Sequence, residues 1–344
     1  MKTRVLPLLV LAGLASLARL SAASDPAVKL TRADDRVRVE IGGQLFTEYI
    51  FKGGPKPYMY PVLAADGTEL MRHYPMKDVA TEIQDHPHHR SLWFTHGAVN
   101  GVDFWAESEL KKEGQTKQGT IVSEGVESSV KGGVGEIRAR NKWVGPDGTV
   151  HATDETVIRY KGLADGSRLL DYEVTLKAPK DKAVVFGDTK EGSMAIRVPL
   201  WMTPPHSYRG ADKKSVKHAG TGTIVNAEGI KNDEAWAKRS TWVDYYGAKD
   251  GKTYGIAMFD NPKNPRHPTW WHVRSYALFA ANPFGKSDFE LDPKTKKKVL
   301  PANAGDLKIE AGQSVTFRWR LYFHMGDTAA AKVAEQYKAY AAGK

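Results

Sequence analysis

The 344-residue sequence predicts an all-β protein, a large antiparallel sandwich of two sheets with one C-terminal helix. Three observations predict it. Apolar and polar residues alternate in period two over much of the chain, as they do when a strand buries one face. Between the alternating runs lie glycine, proline, asparagine and aspartate in tight-turn combinations. Helical spacing is confined to the last stretch.

In chain order, Lys2 and Arg4, the apolar run 5–17 and the small residues Ser21, Ala22 and Ala23 read as an export signal removed after residue 23. The remainder, 24–344, is expected to form a single β-sandwich domain in the periplasm or outside the cell. Two smaller sandwiches joined near Pro204-Pro205 are the alternative. Alternation marks strands at 37–41, 134–144, 149–160, 169–176 and 315–323, and about fifteen strands are expected in all. The polar stretch 207–238 reads as an insertion between strands, and the lysine run 294–298 as a solvated hairpin tip. Val333, Tyr337 and Tyr340 fall at i, i+4 and i+7, which predicts a helix over 328–342 capped by Asp327 or Thr328.

Composition narrows the function. The chain has no cysteine, so disulfides, thiolate metal sites and iron–sulfur clusters are excluded. The formal charge of +10 falls to about +7 when Lys2, Arg4 and Arg19 leave with the signal. Outside the cytoplasm a basic surface is expected to meet acidic glycans, anionic envelope polymers or nothing specific rather than nucleic acid. No apolar run after the signal is long enough to span a bilayer as a helix. Serine-elbow, zincin, phosphate-loop and dinucleotide fingerprints are missing.

Three constellations carry chemistry. The densest is Asp85-His86-Pro87-His88-His89-Arg90, followed by Trp93 and His96. If 84–95 runs extended, His86 and His88 share a face and suit either one divalent metal or a general acid/base role. A third ligand would then come from His96, Asp103, Glu107 or Glu191. Asn100-Gly101 is a tight-turn pair that folds Asp103 and Trp105 back toward Trp93. The second constellation places Glu191 on a charged turn before a strand carrying Arg197. The third presents Arg266 and His267 on a proline-stiffened loop, then Trp270, Trp271, His272, Arg274 and Tyr276. These residues suit a pocket in which aromatic faces stack on a sugar and polar groups hold its hydroxyls. Buried structural histidines are the plain alternative.

The motifs Lys56-Pro57-Tyr58, Asp85-His86-Pro87-His88-His89-Arg90, Leu92-Trp93-Phe94, Val99-Asn100-Gly101 and Asp103-Phe104-Trp105, with Glu191-Gly192-Ser193, Trp271-His272-Val273-Arg274 and Asn282-Pro283-Phe284-Gly285, resemble a bacterial family often labelled methane oxygenase PmoA. The resemblance covers roughly residues 40 to 325. It departs from the family pattern at Ser91 and Ala277, where glycine is expected, and at Ser275, where aspartate is expected. A membrane oxygenase subunit does not follow from the label, because the chain carries no spanning helix after its signal. What the resemblance implies is a supersandwich of the kind shared by sugar mutarotases and polysaccharide lyases, acting on or binding carbohydrate.

The leading expectation is therefore a glycoside hydrolase- or lyase-like enzyme. His86 or His88 acts as general acid or base, and Glu191 or Asp103 is the partner carboxylate. Arg90 and Arg274 hold a carboxylate or oxyanion. Trp93, His96, Asn100, Trp105, His267, Trp271 and Tyr276 line the sugar. A metalloenzyme with a divalent metal on His86 and His88, and a non-catalytic glycan-binding envelope protein, remain open beside it.

Overall fold

The computed structural model describes residues 24–107, 118–209 and 214–343; the expected export signal lies outside the described residues. Two eight-stranded sheets dominate. Sheet I runs from edge to edge through Val28–Arg32, Arg36–Ile41, Gln44–Ile50, Tyr58–Val62, Leu92–His96, Gly192–Arg197, Leu278–Asn282 and Trp270–Val273. Sheet II runs through Thr223–Asn226, Trp242–Lys249, Lys252–Asp260, Ser314–Met325, Arg168–Lys177, Val150–Gly162, Val134–Val144 and Thr120–Lys131. The neighbouring strands pair antiparallel in both. The all-β sandwich expected from alternation is thus the observed architecture.

The inward residues of both sheets share one core. Phe94 of sheet I lies 6.1 Å from Trp143 and 5.8 Å from Trp319 of sheet II, ring centre to ring centre. Fully burying a side chain of this size stabilises the fold by roughly 2–3 kcal/mol. Two charged side chains enter this layer, Arg168, which donates to the Leu63 carbonyl just beyond a sheet I strand, and Asp154. Asp154 accepts from Asn141, Trp143 and Thr156, and burial still pushes its carboxyl up to about 6.

Twenty strands are present among the described residues, against about fifteen expected. The surplus is short: Val184–Phe186 pairs with Leu307–Ile309, and His206–Arg209 with Ser215–His218. Three or four residues cannot display a period, which is why the stretch read as an insertion also holds Thr223–Asn226. The lysine-rich turn is a solvated tip closed by a Leu291–Lys298 bridge, as expected.

The C-terminal helix is shorter than predicted and spans Val333–Ala341. Asp327 does cap backbone N–H groups, those of Ala329 and Ala330, but the turn it starts ends at Lys332 in a left-handed conformation with φ of 52°. The helix lays Val333 and Tyr340 on the outer face of sheet II, against Phe259 and Tyr322. Among the described residues no helix is long and apolar enough to cross a membrane.

Candidate active site

The outer face of sheet I carries the site. Its register lines up Tyr58, Trp93, Ala195, Ala280 and His272 in one row across five strands. Alternation turns these side chains away from the core, and the two alanines form a low floor between Trp93 and His272. Asn100 and Gly101 take φ of 49° and 77°, closing the tight turn the sequence predicts. That turn brings Trp105 to 5.3 Å from Trp93, while the Thr95 hydroxyl donates to the Phe104 carbonyl.

The histidine motif does not extend the strand. The expected run over 84–95 is a strand only from Leu92; His86 has φ of 46° and accepts at its carbonyl from the His89 N–H, which makes 86–89 a turn. The consequence is a column of parallel rings standing over Trp93. His89 stacks on Trp93 at 5.3 Å, His86 on His89 at 4.8 Å, and Tyr276 on His86 at 5.5 Å. His88 stands edge-on to His89 and Trp105. The two glycine-expected positions, Ser91 and Ala277, have φ of 57° and 87° and flank this column in the chain.

Buried charge holds the column. Asp85 Oδ1 accepts from Arg72 and, at 2.7 Å, from Arg197, while its Oδ2 lies 2.9 Å from His86 Nδ1. Burial pushes this carboxyl up, yet the His86 hydrogen bond and the two guanidinium charges outweigh it and hold Asp85 well below the usual carboxylate range. Arg197 also donates to His89 Nδ1 at 3.2 Å, which leaves the His89 proton on Nε2. A second group sits beneath Trp105. Lys56 donates to Glu107 and to the Trp105 carbonyl, and Arg90 forks onto both Glu107 oxygens at 2.8 Å.

Desolvation keeps the inner histidines neutral. Burial lowers His88 to about 3, His96 and His272 to about 4, and His89 well below its ordinary value. His86 differs: its side chain is 41 % exposed, and with Nδ1 on Asp85 its outward nitrogen is Nε2. Tyr276, the outermost ring of the column, also lines an open cleft of about 440 Å³ with Arg274, Trp236, Asp233 and His206. The Arg274 guanidinium stands 5.5 Å from the Trp236 ring centre and 5.4 Å from that of Tyr276. Burial raises the Tyr276 phenol although both Arg197 and Arg274 pull it down.

Of the residues expected from sequence, His86, His88, Arg274 and Tyr276 come together here, while Trp93 and Trp105, expected to line the sugar, are buried beneath the histidine column instead. Glu191 is on the rim, ion-paired with Lys190 and close enough to His272 to act on its charge. Asp103 is occupied in capping the backbone N–H groups of Trp105 and Ala106. Five further expectations need correcting. Arg90 is tied to Glu107 and unavailable to a ligand. Trp271 points inward to the core and bonds the Ser240 carbonyl. His96 is fully buried against Phe284 and bonds the Gly187 carbonyl. Asn100 ties its turn to Val185, and His267 pairs with Asp260 at the end of a sheet II strand. A sixth correction concerns the metal pair: among the described residues no three histidine, aspartate or glutamate side chains are grouped to hold a metal ion, so His86 and His88, with ring centres 5.7 Å apart, have no third ligand of that kind.

Sequence reasoning passed over Arg72, Asp233 and Trp236, and gave Arg197, His89 and His272 no role beyond membership of their constellations. His272 had a signal, the alternation from Trp270, whereas Arg72 and Arg197 reach Asp85 only through the fold.

The chain matches a family model, Family of unknown function (DUF6807), over residues 36–338, and it belongs to that family. No curated protein matches it. Two similar solved structures are the Slr1438 protein from Synechocystis sp. PCC 6803 and the GalM/aldose epimerase homologue from C. elegans. The first is 9 % identical, with 89 % of this chain and 97 % of that chain covered at a TM-score of 0.33. The second is 7 % identical, with 88 % and 99 % covered at a TM-score of 0.27. Likeness of that degree carries no argument about chemistry, which rests on the side chains themselves.

Proposed function

We propose that this member of DUF6807 is an exported carbohydrate-active enzyme of the lyase type, acting on an acidic sugar. The observation that carries the reading is the Asp85–His86 pair stacked on Tyr276, whose ring also lines the cleft that holds Arg274 and Trp236. Asp85, fixed by two arginines, orients His86 so that Nε2 takes the proton from the sugar carbon beside the carboxylate. Arg274 holds that carboxylate and stabilises the charge that develops on it. The electron pair of the broken C–H bond forms a C=C bond as the glycosidic C–O bond breaks. Tyr276, whose buried phenol stays protonated, gives its proton to the leaving oxygen. Trp236 offers the ring on which the pyranose stacks. Hydrolysis is less well served, because Asp103 is engaged with backbone and Glu191 with lysine.

The test is ultraviolet absorbance of the new C=C bond with polygalacturonate, alginate and heparin as substrates. Activity on one of them is expected, with His86→Ala and Tyr276→Phe each losing about a hundredfold or more in kcat while staying folded. New reducing ends without that absorbance would turn the reading to hydrolysis. Binding with no product would make this a glycan-binding protein.

A further inference from the structure

A second cleft, of about 400 Å³, opens beside Trp201. Trp201 sits on the single turn Leu200–Met202, half-buried, edge-on to Tyr254 at 5.9 Å and with the Lys249 ammonium 5.7 Å from its ring centre. The facing wall is rigid. Glu82 accepts from the backbone N–H groups of His73 and Tyr74 at 2.8–3.0 Å. His73 bridges the Tyr60 hydroxyl at 2.7 Å and Glu69 Oε2 at 2.6 Å, one ring nitrogen to each. Glu69 Oε1 is left to accept from a ligand, and the Glu69 side chain is 44 % exposed. His218 lines this cleft and His206 lines the Arg274 cleft; the two are directly paired across their hairpin, with ring centres 5.2 Å apart.

We propose that the Trp201 cleft is a second carbohydrate subsite, taking an uncharged, hydroxyl-rich pyranose, so that the ligand is an oligosaccharide reaching past the histidine pair into both clefts. The proposal rests on the carbohydrate reading of the Arg274 cleft. An indole on one wall and fixed carboxylates on the other are what a pyranose needs, one face to stack on and acceptors for its hydroxyl donors. The volume is within the range of small-molecule sites. Glu69 and Glu82 outnumber Lys249 on the walls of this cleft and disfavour an anionic sugar, whereas Arg274, with Asp233 engaged by Ser275, offers its cation to one, so the two clefts select different residues of one chain.

The experiment is saturation-transfer NMR with methyl glucoside, methyl galactoside, methyl mannoside and methyl xyloside, each added to the full protein. Transfer to at least one is expected, reduced about fivefold or more by Trp201→Ala and by Glu69→Ala, and unchanged by Val130→Ala at an exposed position on the edge strand of sheet II. The Glu69 variant changes a half-exposed side chain, so it answers the question even if Trp201→Ala fails to fold. No transfer to any of the four, or transfer indifferent to both substitutions, overturns the subsite. Turnover of an acidic polymer without Trp201-dependent transfer overturns the subsite alone. Trp201-dependent transfer without turnover supports the subsite and overturns the lyase reading.

Discussion

The outer faces of the two sheets are covered in opposite ways. On sheet II, Phe259 and Tyr322 are covered by an amphipathic helix that contributes Val333, Tyr337 and Tyr340, a contact made mainly of apolar and aromatic surface. On sheet I, Trp93 is covered by a turn of histidines held down through Asp85 by two buried arginines. Apolar cover tolerates repacking, because dispersion and area burial have little directionality. Ionic cover does not, since each buried charge depends on one partner in one geometry. The difference separates a face built for stability from one built to place proton-transfer groups.

Acid should separate the two faces most strongly. His88, His89 and His272, all on the sheet I side, have folded pKa values below the ordinary 6.5, about 3 for His88 and about 4 for His272, so below 6.5 the unfolded chain binds protons that the native state does not. Their contribution is complete above pH 6.5 and is lost as pH falls, by up to about 1.4 kcal/mol per pH unit for each histidine. Asp154 has the opposite sign. Its raised value of about 6 means that its contribution is present below 3.8 and lost as pH rises through 6, which offsets one histidine in that window. Hydrogen exchange at pH 7 and pH 5 is expected to show the 85–105 segment losing protection while Lys252–Asp260 and Val333–Ala341 keep theirs. Uniform loss over both faces would mean that the ionic cover is no weaker in acid than the helix.

Conservative substitution probes the same contrast at neutral pH. Arg197→Lys keeps the charge but loses the fork that reaches Asp85 and His89 together and the guanidinium plane 5.1 Å from the Tyr276 ring centre. A loss of about 3 kcal/mol in urea unfolding is expected, with activity falling in parallel. Phe259→Leu removes a ring of similar burial from the helix face and should cost about 1 kcal/mol. Equal losses would show that the charged cover packs as permissively as the apolar one.

The sandwich was legible in the sequence where strands bury one face and expose the other. Val134–Val144 alternates buried and less buried side chains almost without interruption, and both its existence and its extent were readable. The site was legible in composition but not in geometry. Around Trp270–Val273 all four residues are buried, so the alternation that sets Trp270, His272 and Arg274 on one face is not matched by a difference in burial between Trp270 and Trp271. Trp271 was therefore placed in the pocket and proved to be core. His86 and His88 were placed on a common strand face, and the left-handed backbone at His86 turns the motif over the sheet instead. Arg72, Arg197 and Asp85 are separated by 13 or more residues in the chain, and only the sheet brings them together.

The smallest effect concerns the backbone beneath the ionic cover. Ser91 is fully buried, adopts φ of 57°, and its hydroxyl has no hydrogen-bond partner among the described residues. A side chain in the left-handed region costs about 1–2 kcal/mol, and an unpaired buried hydroxyl costs about as much again. Ser91→Gly removes both penalties against an unfolded-state entropy loss of about 0.5–1 kcal/mol and a cost of about 1 kcal/mol for the void left by the buried side chain. The balance predicts that Ser91→Gly raises stability by about 1 kcal/mol, read as a higher urea midpoint at unchanged slope. No corresponding gain is available under the helix on sheet II, where no strand residue beneath it takes a left-handed backbone. A stability loss in Ser91→Gly would instead mean that the Ser91 hydroxyl contributes to holding the histidine turn, and the ionic cover would then extend one residue deeper than the Asp85 network.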